Sequence, residues 1–445
     1  MAGPRRVEDG GHCRAREARG PGGRAAAARA GELRARGARR RRGGRLGRGG
    51  SARAGARLAG RRSDSGLAPR CRPAVTAAPR IYLSAGEPSG DAHGAQVVTA
   101  LRRRLPGVAL EAFGGPLMAA AGATVLDRME AFSVVGFVEA IAKIPAHYAL
   151  FRRTRAALRA GRYDLVILID YPGYHLRLAT AAAVAGVPVL YYIAPQLWAW
   201  GAGRVKRLAA SVRHLAVILP FEERFFRERG VATTFVGHPL KDRAAPPGRA
   251  EARRQLGLDR VRPTLALFPG SRAQEVRRMW PAFRAAAARV VTARPEVQVV
   301  AAGTPNAPYP DPGPIQVAQG DPALVFAAAD AGLCKSGTTT LEAALADVPM
   351  AIAYRLHPLS SFIAQRVLQV PWVGLVNLVA GAAVCPEFLQ RRASPRALAD
   401  AVLPLLDGDT PAARRQREGL ALVRERLGAP GAAARVADLA VGLLD

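Results

Sequence analysis

The sequence reads as an α/β protein of two Rossmann-like halves. Each is a doubly wound parallel sheet, the two face a central cleft, and a basic extension without structure precedes them. Three observations predict this. Short runs that are apolar throughout alternate with Ala/Arg/Leu-rich stretches of helical length, the mark of strands covered by helices on both faces. The alternation stops in a polar stretch between Lys241 and Arg262 that carries Pro246, Pro247 and Gly248, and then restarts. Before Arg80 the pattern is missing altogether.

In the first half, residues 81–85, 165–169, 187–193 and 215–219 read as buried strands, with helices at 93–105, 147–160 and 221–229. In the second half the strands are 264–268, 297–301, 332–334 and 350–353, with helices near 274–292, 338–346 and 360–368. The expected domains are therefore 79–243 and 244–445, with the last helices free to pack back on the first. Ligands of such folds bind beyond the carboxyl ends of the strands, so the loops there are the candidates for chemistry.

The formal charge of +31 suggests a nucleic-acid binder until it is divided along the chain. Residues 1–80 hold 22 Arg, no Lys and five acids, or 22 − 5 = +17, which leaves 31 − 17 = +14 for the rest. Residues 1–78 contain no Ile and no aromatic residue, too little apolar surface to offset the entropy of ordering them, and are expected to be disordered. They lack the apolar core of a secretory signal. A solvated tail, a polyanion-binding arm and upstream codons included in the reading frame are the three readings. The Arg/Ala/Gly bias of a GC-rich frame favours the third. With no aromatics for base stacking, nucleic acid is not expected as a partner. Cys13, Cys71, Cys334 and Cys385 show no CxxC spacing, and no GxxxxGK[ST] occurs. Neither a metal nor a cofactor is expected, and the cysteine usage suits a reducing cytoplasm.

Five loops stand out. The first strand runs into Ser84-Ala85-Gly86-Glu87-Pro88-Ser89-Gly90-Asp91, where Glu87 and Asp91 put two acids into one tight turn. Asp170 follows the buried run 165–169, and a carboxylate there is costly unless solvated, paired or used. It suits a general base, and equally a cap on the helix beginning near Tyr174. Trp198 and Trp200 sit together after the next strand, either as a stacking or acyl-lining surface or as core. In the second half, Gly270-Ser271-Arg272 and Ser336-Gly337-Thr338, with Glu342 one turn on, are Gly-containing turns at helix starts that suit a pyrophosphate and a ribose. A further stretch, 134–151, is largely apolar and includes Phe137, Ile141 and Phe151. It is followed by Arg152 and Arg153, which fits a surface dipping into anionic lipid, or a core helix with a solvated end.

Taken together, Gly86-Glu87-Pro88-Ser89-Gly90-Asp91, the run 192–200, Gly237-His238-Pro239-Leu240, Pro269-Gly270-Ser271-Arg272, Ser336-Gly337-Thr338 with Glu342, and Asn377 to Gly381 resemble the lipid-A-disaccharide synthase family of GT-B glycosyltransferases, in order and over about 80–445. The resemblance implies an inverting hexosyltransferase. It would move 2,3-diacylglucosamine from its UDP derivative onto 2,3-diacylglucosamine 1-phosphate (lipid X), at the inner face of the bacterial inner membrane and peripheral to it. It implies Asp170 as base, with Glu87 and Asp91 in reserve. UDP would be held by Gly270, Ser271, Arg272, Ser336, Gly337, Thr338, Glu342 and Asn377, and the acceptor or its acyl chains by Trp198, Trp200 and His238. A homodimer is compatible with it. The family commonly has a second acid and an Asn after the Asp-x-Pro, where this chain has Gly173, Tyr174 and His175. A UDP-sugar 2-epimerase of the same architecture is the rival enzyme reading, and a nucleic-acid-binding protein led by the basic head is the non-enzymatic one.

Removing residues 1–78 is expected to leave folding and catalysis intact, because the segment cannot build a core. An insoluble or inactive truncated protein overturns that reading.

Overall fold

The computed structural model describes residues 78–132, 143–356 and 370–445. The expectations for residues 1–77, for Phe137 and Ile141, and for a helix at 360–368 lie outside them. Among the described residues thirteen strands form two sheets, and every strand pair in both is parallel. The first sheet contains β1 (Arg80–Ala85), β2 (Ala109–Gly114), β3 (Thr124–Arg128), β4 (Leu165–Ile169), β5 (Val189–Tyr192), β6 (His214–Val217) and β7 (Thr233–Phe235), in the order β3-β2-β1-β4-β5-β6-β7. The second contains β8 (Thr264–Phe268), β9 (Gln298–Ala302), β10 (Gln316–Ala318), β11 (Ala331–Lys335), β12 (Met350–Tyr354) and β13 (Glu387–Leu389), in the order β10-β9-β8-β11-β12-β13.

The strands read from continuous apolar runs are the central ones, β1, β4, β5 and β6 with β8, β9, β11 and β12. All residues of β4 and of β8 are buried. The missed strands, β2, β3, β7, β10 and β13, lie at or next to the edges of the sheets. β3 alternates exposed and partly buried residues, and β7, β10 and β13 have three residues each. Strands that short carry too few side chains to show a period.

In each sheet the chain first builds outward on one side of the opening strand, then crosses to its other side. The reversal falls between β1 and β4 in the first sheet and between β8 and β11 in the second. At such a switch point the loops leaving two neighbouring strands diverge to opposite faces and open a crevice. The last helix, Ala432–Val441, returns to the first sheet. Its Val436, Ala437 and Ala440 join the core cluster of Val97, Leu101 and Ile81 on helix Pro88–Arg104 and β1.

Asp91 belongs to this framework rather than to the cleft. It is 1% exposed, and its carboxylate accepts bonds from the amides of Gly115 (2.8 Å), Leu117 (3.0 Å) and Met118 (3.1 Å) at the start of helix Pro116–Ala120. All its capacity goes to satisfying donors a helix start leaves open, so its expected place as a reserve base is corrected to a capping role.

Asp91→Ala would strand three amides, two of them buried, and is expected to lower the unfolding free energy by about 3 kcal/mol. Denaturant unfolding reads this directly. Turnover measured well below the melting temperature should stay within about threefold of the parent, since losing one buried cap acts on stability.

Candidate active site

The carboxyl ends of the central strands of both sheets enclose a cleft of about 620 Å³. Glu87 after β1 and Asp170 after β4 stand side by side on the first half, because those strands are neighbours. Ser271 and Arg272 after β8 and Lys335 to Thr338 after β11 face them from the second half for the same reason.

Asp170 owes its placement to an uncommon backbone. Asp170 and Tyr171 both adopt left-handed conformations, φ +50° and +52°, which cost about 1–2 kcal/mol each in a residue with a side chain. Two donors hold the Asp170 carbonyl: the Tyr191 hydroxyl at 2.7 Å and His175 Nδ1 at 2.5 Å. His175 is fully buried, and burial pushes its pKa down to about 4 against the pull of the Asp170 carbonyl. The ring is therefore neutral with its proton on Nδ1, and Nε2 accepts the Ser84 hydroxyl at 2.8 Å. Gly86 leaves room for the Tyr171 ring, since a Cβ there would lie 2.4 Å from Tyr171 Cδ1.

The Asp170 carboxyl is raised to about 6. Burial is the chief cause and the neighbouring Glu87 carboxylate adds to it, while the Tyr171 amide and Arg272 pull the other way. The residue at the cap of helix Pro172–Val184 is Tyr171, with no side-chain cap bond, so the alternative of Asp170 as a helix cap does not hold.

On the second half, Glu275 braces both loops. Its carboxylate accepts the Ser271 amide at 3.0 Å and pairs with Lys335 Nζ at 2.8 Å. Gly270, at φ +145°, lets the turn pass over it; a Cβ there would meet Glu275 Cβ at 2.5 Å. The amides of Gly337 and Thr338 have no acceptor among the described residues, while the Ser336 hydroxyl is spent on the Val373 carbonyl at 2.8 Å. Arg272 reaches across the cleft to Glu87 at 3.3 Å, and Arg243, from the linker, pairs with Glu342 at 2.7 Å. His93 and His238 also line the cleft. Burial first, then Arg243 for His93 and His93 with Arg243 for His238, lowers them to about 4 and about 3. Both rings are neutral near pH 7.

Glu87, Asp170, His238, Ser271, Arg272, Ser336, Gly337, Thr338 and Glu342 thus meet in one cleft. Besides Asp91, already spent on a helix start, and Gly270, which shapes its turn without lining the cleft, Asn377 and Trp198 do not. Asn377 is fully buried and pins its own segment: its amide nitrogen bonds the Cys385 carbonyl and Glu387, and its oxygen accepts the Val384 and Cys385 amides. Trp198 is 7% exposed, edge-on to Phe221, with Nε1 bonded to the buried Glu222, so it offers no stacking surface. The Trp200 side chain lies outside the described residues. Phe151 packs beside Tyr174, Arg152 is exposed, and Arg153 pairs with Asp127. Lys335, Glu275, Arg243, His93 and Glu222 were missed from sequence. Lys335 alone had a local signal, as a cation ending a strand just before a glycine turn.

Comparison with known proteins agrees with this geometry. A family model described as lipid-A-disaccharide synthetase matches residues 81–429. A lipid-A-disaccharide synthase of Anaeromyxobacter sp. (strain K) is 40% identical over 378 residues, covering 82% of this chain and 97% of the relative. One of Trichlorobacter lovleyi is 41% identical over 376 residues, covering 82% and 98%. Among solved structures, the UDP-GlcNAc 2-epimerase of Neisseria meningitidis bound to UDP-GlcNAc aligns with a TM-score of 0.57 at 9% identity, over 82% of this chain and 99% of that one. A calicheamicin glycosyltransferase aligns at 0.52 with 20% identity, over 83% and 99%. These two share the fold, the paired parallel sheets of GT-B enzymes. With the family model spanning both sheets and the relatives matched nearly end to end, the chain belongs to the lipid-A-disaccharide synthase family.

Proposed function

We propose that the cleft transfers a 2,3-diacylglucosaminyl group from its UDP derivative to lipid X, with Asp170 as the base. The observation that carries this is a carboxyl raised towards neutrality facing, across one cleft, loops that offer cations and free amides. In the reaction an acceptor hydroxyl oxygen forms a bond to the anomeric carbon from the face opposite UDP. The carbon–oxygen bond to the diphosphate breaks, its electron pair leaves with UDP, and the hydroxyl proton passes to Asp170. The configuration inverts.

The second-half residues suit the leaving group. Negative charge grows on the diphosphate as the bond breaks, and Arg272, Lys335 and the Gly337 and Thr338 amides meet it from fixed positions. Glu342, held by Arg243, is suited to ribose hydroxyls. Arg272 rests on Glu87, and an incoming diphosphate would compete for it. We place the enzyme peripherally on the cytoplasmic face of the inner membrane. No described helix is long and apolar enough to cross a bilayer, and Ile144 and Tyr148, 60% and 61% exposed, lie beside Arg152 on one basic helix. Incubation with UDP-diacylglucosamine and lipid X should yield disaccharide and UDP. Conversion of UDP-N-acetylglucosamine alone would point to an epimerase instead.

Asp170→Asn keeps size while removing basicity, so turnover is expected to fall about 10²–10⁴-fold with UDP affinity unchanged. A base must be deprotonated to act, so the parent rate should rise with pH through about 6 and level off above it, and the variant should lose that limb. Near-normal turnover in the variant overturns the assignment.

Tyr191→Phe keeps the ring but removes one of the two donors on the Asp170 carbonyl. Turnover is expected to fall roughly fivefold to tenfold, the worth of about one hydrogen bond, with KM for the donor unchanged. A lower melting temperature with unaltered turnover would make Tyr191 structural only.

A further inference from the structure

The turn that presents Asp170 has two sides. Asp170 and Pro172 line the catalytic cleft, while Tyr171 and Gly173 line a separate, mostly carbon-walled pocket of about 390 Å³. Helix Ile144–Arg159 supplies its other wall through Ile144, Tyr148 and Phe151, and Tyr174 and Arg177 complete it from helix Pro172–Val184. The Tyr171 ring is the partition between the two spaces. It leans on Gly86 below the cleft, and its hydroxyl bonds His147 Nε2 at 2.9 Å on the pocket side.

Two features of this pocket need an explanation. Ile144 and Tyr148, one helical turn apart, are 60% and 61% exposed, an unusual outlay of apolar surface on one face. Arg177 is exposed, and among the described residues no acid pairs with it. An apolar hollow with a free cation at its wall suits an amphiphile that carries a fatty chain and an anion.

We propose that this pocket takes an acyl chain of the acceptor sugar, with Arg177 towards its phosphate. The inference rests on the reading of Asp170 as the base that receives the acceptor's proton. Three observations favour the acceptor over the donor. The pocket is built wholly from the first half, whereas the diphosphate loops belong to the second. A single residue, Tyr171, separates it from Asp170, so a sugar at Asp170 is one side chain away. Among the described residues its one charge without an acidic partner is Arg177, the complement of a sugar 1-phosphate. Gly173 lines the pocket at an exposed position, and a Cβ built there meets nothing within 4 Å, so a larger side chain can stand at the pocket's rim without disturbing its neighbours. The apolar acceptor surface expected at Trp198 is thereby reassigned to the Ile144–Arg159 and Pro172–Val184 helices.

Gly173→Leu in the full-length protein tests this, because it adds bulk where there is open space and improves helix propensity. Equilibrium binding and KM are measured for a long-chain diacyl acceptor and for its diacetyl counterpart, with UDP binding as a check on the second half. The long-chain acceptor should lose about tenfold in both Kd and KM, the worth of two methylene groups returned to water. The diacetyl acceptor should change by less than about threefold. Ile144→Ser, on the exposed wall, should weaken the long-chain acceptor in the same sense if Gly173→Leu folds poorly. Equal losses for both acceptors, a loss confined to the acylated donor, or reduced sedimentation with anionic vesicles at unchanged acceptor Kd would each overturn the proposal. The last two outcomes would assign the pocket to the donor or to bulk lipid. A parent protein that binds the long-chain acceptor but makes no disaccharide would count against the transferase reading and leave the pocket standing.

Discussion

Everything at the candidate site depends on two topological reversals facing one another. β1 lies beside β4 and β8 beside β11 because each sheet grows outward first and then crosses back. The loops at those reversals have no neighbouring crossover to cover them, so their backbone groups stay open to a ligand. Glu87 and Asp170 sit on the first reversal, and Arg272, Lys335 and the Gly337 and Thr338 amides on the second, where Glu275 and Glu342 are already paired with Lys335 and Arg243. A reaction that removes a proton from one reactant while releasing a diphosphate from the other needs that separation. A carboxylate close to Arg272 and Lys335 alone would be held ionised and weakly basic, whereas Asp170, buried beside Glu87, is raised to about 6.

Placement of Asp170, the proposed base, rests on a backbone conformation its own residues disfavour. Two successive left-handed residues turn β4 sharply into helix Pro172–Val184, and the Asp170 carbonyl is fastened at the bend by Tyr191 and His175. The same carbonyl would otherwise be an unpaired acceptor near the core. Satisfying it therefore fixes the direction of the carboxylate as well. The bend also sends successive side chains to opposite sides, which is why one turn borders both a polar cleft and an apolar pocket. Tyr171 lies where the polar cleft and the apolar pocket adjoin.

The ion pairs across the cleft are partly exposed and geometrically modest. Arg272 and Glu87 are 70% and 45% exposed, so the pair adds little to stability. Its value lies in keeping both groups near the place where substrate charge would arrive. Lys335 with Glu275 differs, being mostly buried and fixed further by the Ser271 amide, and so holds the two second-half loops in one geometry.

Sequence by itself determined the paired α/β halves, the central strands and the family, because continuous apolar runs and glycine turns are local features read directly from the chain. It also placed Asp170, Arg272 and the Ser336–Thr338 turn at strand ends, where the fold must gather them. Only the tertiary structure decided which polar residues were free to act. Asp91, Asn377 and Trp198 looked like site residues, yet each is consumed by partners. Asp91 bonds amides 24–27 residues away and Trp198 bonds Glu222, 24 residues on. Conversely, Ser84 meets His175 across 91 residues, and Arg243 meets Glu342 across 99. Periodicity reports whether a side chain faces the core. It does not report which distant strand or turn will lie against that side chain, and that neighbour decides whether a polar group is spent on the fold or left for chemistry.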